Sequence, residues 1–216
     1  MIDEQYFDDL VNAATAQLSG DEVVLMSAHS ESTDFARFNN ARVRQAGSIE
    51  QTSIDVDLIE GQRHTEATLQ LSGDASTDNT RITRVLARLR EQRAAVPDDP
   101  YLVINTEPVS THHVGDDQLP DRDAALAAIA NGAGDKDLVG IYTAGGMASA
   151  FANSLGQRNW FETSTFNFDW TFYLRADKAV KNSYAGFEWD DAAFDRKLTD
   201  AAAKLQALAH DPIDLA

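Results

Sequence analysis

Five histidines, His29, His64, His112, His113 and His210, are the side chains best suited to hold a metal or move a proton. His29-Ser30-Glu31 and His64-Thr65-Glu66 each set a His and a Glu on the same side of a strand, where the two could share a metal. The competing reading is a half-exposed imidazole on a wet sheet face, and it is the commoner outcome. His112-His113 stands beside Asp116 and Asp117. Adjacent loop histidines can capture zinc, but a working site also needs partners that orient the ligands, so a solvated loop is the plainer reading. No HExxH is present, and no two histidines stand at i, i+4 on a helix. There is no cysteine, which removes thiolate catalysis, disulfides and Cys-ligated zinc from these residues.

Other chemistries find even less. Gly145-Gly146-Met147-Ala148-Ser149 has glycines and a serine, but it reads as a hairpin turn and lacks the GxSxG elbow. Gly132-Ala133-Gly134-Asp135-Lys136-Asp137 lacks the phosphate-loop pattern, and its acids would repel phosphate. Acid pairs such as Asp55/Asp57 and Asp190/Asp191 are expected by number alone among 35 acidic residues. The expectation is therefore no catalytic, metal or cofactor-binding residue within this chain. One interface candidate stands out. Seven aromatics crowd between Trp160 and Tyr173, and most read as a sheet packed on the 190–209 helix. Trp160 is the best placed of them for a contact with another molecule.

Elements must carry these residues. Alternation in Ser53-Ile54-Asp55-Val56-Asp57-Leu58, and from Thr165 to Phe172, predicts strands with one buried and one wet face. Glu22–Ala28 and Leu138–Thr143 read as more deeply buried strands. Helical stripes run through Tyr6, Phe7, Leu10, Val11, Ala14 and Leu18, and through Ile82, Val85, Leu86 and Leu89. Asp121–Ala130 is Ala-rich and helical. Phe194, Leu198, Ala201, Leu205 and Leu208 form the last stripe, with Asp190 as its N-cap and Pro212 as its stop. Turns are expected at Asn39-Asn40, Glu60-Gly61, Gly145-Gly146 and Asn153–Gly156. Strands joined by short turns and flanked by helices predict an α+β fold with a largely antiparallel sheet.

Four of the five prolines fall between 97 and 120. That stretch divides the chain into residues 1–96, a connection over 97–120, and residues 121–216. Within the connection, Tyr101–Ile104 could be a short strand or a docking segment. Both halves read helix, strands, helix. Phe38-Asn39-Asn40 is echoed by Phe151-Ala152-Asn153, and Glu50–Leu58 by Glu162–Trp170, at offsets of 113 and 112. The halves are expected to be an internal duplication.

Charge narrows the partners. The 18 Lys and Arg against 35 Asp and Glu give a formal net charge of -17. Nucleic acid and anionic membrane are poor partners for such a surface. No apolar run approaches the ~18 residues of a membrane helix. Met1-Ile2-Asp3-Glu4 is acidic where a signal peptide would be basic, so a cytoplasmic place is expected.

Asp34-Phe35-Ala36-Arg37-Phe38-Asn39-Asn40-Ala41-Arg42-Val43-Arg44-Gln45 resembles a strand pair near the start of TldD/PmbA proteins, the modulator of DNA gyrase family. Gly140-Ile141-Tyr142, Phe151-Ala152-Asn153-Ser154-Leu155-Gly156-Gln157-Arg158, Trp160 and Glu162 resemble a later segment of it. The helix ending at Leu208 matches the place where that family's N-terminal domain stops.

The resemblance implies the N-terminal, non-catalytic half of a metallopeptidase, shaping a substrate channel and a subunit interface. It implies a peptide substrate and a homo- or heterodimer with a TldD/PmbA-type subunit. Zinc or another divalent metal would belong to a C-terminal domain carrying HExxxH and a distant Cys, which are not among these residues. PmbA-type members lack that motif and pair with a TldD-type partner. The ending Asp211–Ala216, just past a helix, suits a chain cut from a longer one. The family's gyrase name finds no support in the charge. A stand-alone peptide-binding or scaffold module, with an open sheet edge taking an extended peptide, is the alternative. An independent hydrolase using His29 or His64 comes last.

Overall fold

The computed structural model describes residues 1–175 and 177–210. Pro212 and the chain's ending therefore lie outside the described residues. Helix α1 spans Glu4–Thr15 and is followed by strands β1 (Val23–Asn39), β2 (Arg42–Glu60) and β3 (Arg63–Gln70), then by helix α2 (Ala75–Arg93). A short strand β4 (Thr111–Val114) precedes helix α3 (Arg122–Ala133). Strands β5 (Asp137–Asn153), β6 (Arg158–Arg175) and β7 (Lys178–Gly186) follow, and helix α4 (Asp191–Ala207) closes the series. The fold is α+β, as expected, and the order helix, three strands, helix occurs on both sides of β4.

The strands hydrogen-bond in the order β3-β2-β1-β5-β6, and β6 then carries both β4 and β7. β2–β3 and β6–β7 are antiparallel, whereas β4 runs parallel to the start of β6. Two compact units arise, and they do not follow the two chain halves. The first comprises Met1–Glu31, Glu50–Gly115 and Met147–Thr163; the second comprises Ser32–Ile49, Asp116–Gly146 and Ser164 onward. The chain crosses between the units within β1, β2, β5 and β6, and once more at Gly115/Asp116, inside the 97–120 connection.

Each unit has its own core. In the first, Phe7, Leu10 and Val11 of α1 and Ile82, Leu86 and Leu89 of α2 cover Val24, Met26, Ile54, Val56 and Leu58. In the second, Ile129 of α3 and Phe194 and Leu198 of α4 cover Phe166, Phe168, Trp170 and Phe172. Alternation along each strand dictates this, because only every second side chain meets the helices. Every helix is started by an aspartate: Asp3, Asp74, Asp121 and Asp190 each accept from a backbone N–H of the first turn.

Three local expectations are corrected. Gly145-Gly146 is not a turn but lies inside β5. A Cβ on Gly145 would fall on the carbonyl oxygen of Ser32, so glycine there answers a close backbone approach. Tyr101–Ile104 forms no strand; Tyr101 and Val103 are exposed, and the strand of this stretch is β4 with both its histidines. The first hairpin turns on Asn40 and Ala41, with φ of 50° and 55°, one residue later than Asn39-Asn40. Two positive φ values in succession match the twist of the flanking strands.

Candidate functional site: the uncovered sheet faces

The histidines do not converge. His29 Nδ1 lies 3.1 Å from Ser149 Oγ, while Glu31 accepts instead from Gln51 Nε2 at 2.7 Å. His64 Nδ1 meets Asp57 Oδ1 at 3.2 Å rather than Glu66. Burial raises the Asp57 carboxyl, and the His64 contact only partly offsets it. His112 Nε2 reaches Glu4 at 3.2 Å, and the His113 ring stacks on Phe161 at 5.2 Å. Among the described residues, no group of three His, Asp or Glu side chains is placed to hold a metal ion.

Ser149 and His29 form a hydroxyl–imidazole pair, but the pair lacks the rest of a nucleophilic site. Both residues stand in the hydrogen-bonded strands β1 and β5, so flanking backbone N–H groups serve the ladder. The pair instead lines a hollow of about 260 Å³ with Glu31, Gln51 and Met147. A second hollow of about 290 Å³ shares His29 and Ser149 and adds Asn159 and Phe161.

Trp160 borders the second hollow but offers it little surface. It is 4% exposed within the first unit's core, and the same alternation turns Phe161 outward at 43%. A shift of one position along a strand exchanges faces. An outward aromatic in this segment is therefore Phe161.

The second unit presents a hollow of about 550 Å³ on the sheet face its helices leave open. Arg37 of β1, Arg44 of β2 and Lys181 of β7 bring three cations to it, with Asp169 of β6 the one acid. Val139 and Ile141 of β5 supply apolar wall. Sequence reasoning missed this grouping, although each residue sits on the wet side of its strand. Which strands lie beside each other was not readable from the pattern.

Two buried ion clusters also escaped it. Glu22 accepts from Arg90 Nη2 at 2.8 Å, Arg93 Nη2 at 3.0 Å and the Ser19 N–H at 3.0 Å. The Arg90 guanidinium, ahead of opposing burial, holds its carboxyl down at about 2. Asp78, fully buried on α2, accepts from Tyr6 Oη, Ser72 N and Arg81 Nη1. Burial alone would raise Asp78, but these donors outweigh it and its carboxyl titrates below the usual range.

The motif segments are structural. Asn153 is buried and its Oδ1 accepts from the N–H groups of Leu155 and Gln157, both at 3.0 Å. Gly156 adopts φ 104°, and Arg158 Nη1 donates to the Asn153 carbonyl. This stretch is a knotted-down β5–β6 turn, and Ser154 pins it to Val24 through Oγ and N.

No family model and no curated protein matches the chain. Its fold is that of several solved structures. TldE from Thermococcus kodakarensis superposes with TM-score 0.70 at 11% identity, over 93% of this chain and 47% of that one. A candidate modulator of a DNA gyrase from Thermotoga maritima MSB8 gives 0.64 at 11%, over 98% and 50%. A candidate modulator of DNA gyrase from Bacteroides thetaiotaomicron VPI-5482 gives 0.65 at 10%, over 95% and 50%. The chain thus spans about half the length of these proteins, and they carry the family names that its sequence motifs resemble.

Proposed function

We propose that this chain is the N-terminal, non-catalytic domain of a TldD/PmbA-like metallopeptidase, where it shapes the substrate channel and a subunit interface. The observation that supports it most is the agreement of fold over nearly the whole chain with half of each neighbour. The motif segments around Asn40 and Asn153 form the β1–β2 and β5–β6 turns. Peptide would be the substrate. Zinc or another divalent metal would sit in the other half, and a TldD/PmbA-type subunit would be the partner. A cytoplasmic site of action belongs to the same reading; among the described residues, no helix is long and apolar enough to cross a membrane.

Reading the gene beyond Ala216 tests this. A continuation of similar length, with or without HExxxH, supports the reading and separates its TldD and PmbA forms. A continuation unrelated to either form contradicts it.

The halves are further read as an internal duplication. Ile54, Val56 and Leu58 are buried, as are Phe166, Phe168 and Trp170, each 112 positions on. Superposing residues 1–96 on 121–210 checks this, and non-equivalent sheet positions for Val56 and Phe168 would refute it.

A further inference from the structure

We infer that the hollow on the open sheet face of the second unit is a docking site for an acidic, extended peptide segment. Arg37, Arg44 and Lys181 line it, and all three are exposed. None of them forms a salt bridge among the described residues. Acids outnumber bases 35 to 18 in this chain, so a base finds an acid easily. Three cations gathered from three strands, with Asp169 as the one carboxylate beside them, leave a local surplus of positive charge. That surplus is complementary to carboxylates.

The apolar wall selects among anions. Val139 and Ile141 stand two positions apart on β5, so their side chains rise on one face at strand spacing of about 6–7 Å. An extended segment presents side chains at the same spacing, and a peptide alternating acidic and apolar residues matches both kinds of seat. The hollow's 550 Å³ accommodates several side chains and lies within the range of ligand sites. Inorganic phosphate would leave the apolar wall unused. A long polyanion such as DNA would leave the hollow and meet a chain of net charge -17. The inference goes beyond the family reading and does not depend on it.

Fluorescence anisotropy with the 216-residue chain tests it. The probe is a short labelled peptide alternating glutamate and leucine; its lysine–leucine counterpart, inorganic phosphate and single-stranded DNA are the other arms. The acidic peptide binds, and its affinity falls as salt rises. Arg37→Gln and Lys181→Gln each weaken it by about tenfold, the worth of one charge-assisted contact. Val139→Ser weakens it several-fold, and Arg84→Gln, on the outer face of α2, leaves it unchanged. Circular dichroism confirms that each variant is folded. Equal binding of the lysine peptide, no binding of the acidic one, or an affinity indifferent to Arg37→Gln overturns the inference. So does preferential binding of phosphate or DNA.

Discussion

Tyr6 donates its phenolic hydrogen to Oδ2 of the fully buried Asp78 at 2.6 Å, which ties α1 to the first turn of α2 across 72 residues of sequence. Burial and the Asp78 contact both push the Tyr6 hydroxyl well above the ordinary tyrosine range, so it remains a donor at any physiological pH. Tyr6→Phe deletes one donor to a buried carboxylate and is expected to cost about 1–3 kcal/mol. Asp78→Ala strips the backbone donors of Ser72 and Gly73 as well, and should cost more. Urea melts of the two variants measure both, and equal midpoints for Tyr6→Phe and the parent would show the contact to be idle.

Acid should unfold the first unit through Glu22. Its folded carboxyl titrates at about 2, below its unfolded value, so the stability it contributes is complete above the unfolded value of 4.5 and is lost as pH falls toward 2. Asp78 acts in the same direction, and Asp57, raised by burial, acts in the opposite one. Glu22→Gln should remove part of this acid sensitivity and cost about 2 kcal/mol at neutral pH, because two guanidiniums lose their shared partner. Thermal midpoints of both proteins across pH 2–6 test the sign: the gap between them must narrow as pH falls.

Phe168 is fully buried, stacked on Trp170 at 4.8 Å and edge-on to Phe38 and Phe194. Phe168→Ala should cost about 3–5 kcal/mol. Asp169, half-buried on the other face, should cost less than about 1 kcal/mol when changed to Ala. Denaturant melts rank the pair, and a larger loss for Asp169→Ala would mean the strand's faces are exchanged.

Ala41 holds φ 55° in the β1–β2 turn, a conformation costly for alanine, whose side chain has no polar group to bond locally. Ala41→Gly should stabilise the protein by about 0.5–1 kcal/mol, after the greater freedom of glycine in the unfolded chain is set against the relieved backbone. A lowered melting midpoint would show that the half-buried methyl group outweighs the strain.

Much of this fold was legible because its signals are local. Alternation placed Ile54, Val56, Phe166 and Phe168 inside, and apolar stripes, with the Asp190 cap on the last of them, located the helices. Three failures have physical causes. Gly145-Gly146 looks the same in sequence whether glycine serves a turn or lets two strands touch, and only the neighbour at Ser32 decides. Trp160 and Phe161 are both aromatic, so composition could not say which faces out. Arg90 belongs by pattern to a solvated helix face, yet it turns to Glu22, 68 positions away. The basic hollow was illegible for the same reason: Arg37, Arg44 and Lys181 become neighbours only through strand order.

Peptide hydrolysis by the purified 216-residue chain, assayed with zinc and after chelator washing, bears most directly on the assignment of a non-catalytic half. The chain should cleave neither casein nor short peptides under either condition, since His29, His64 and His112 each face a different single partner rather than one metal. Hydrolysis that zinc restores and the chelator abolishes would contradict it, and would place a catalytic metal site within these residues.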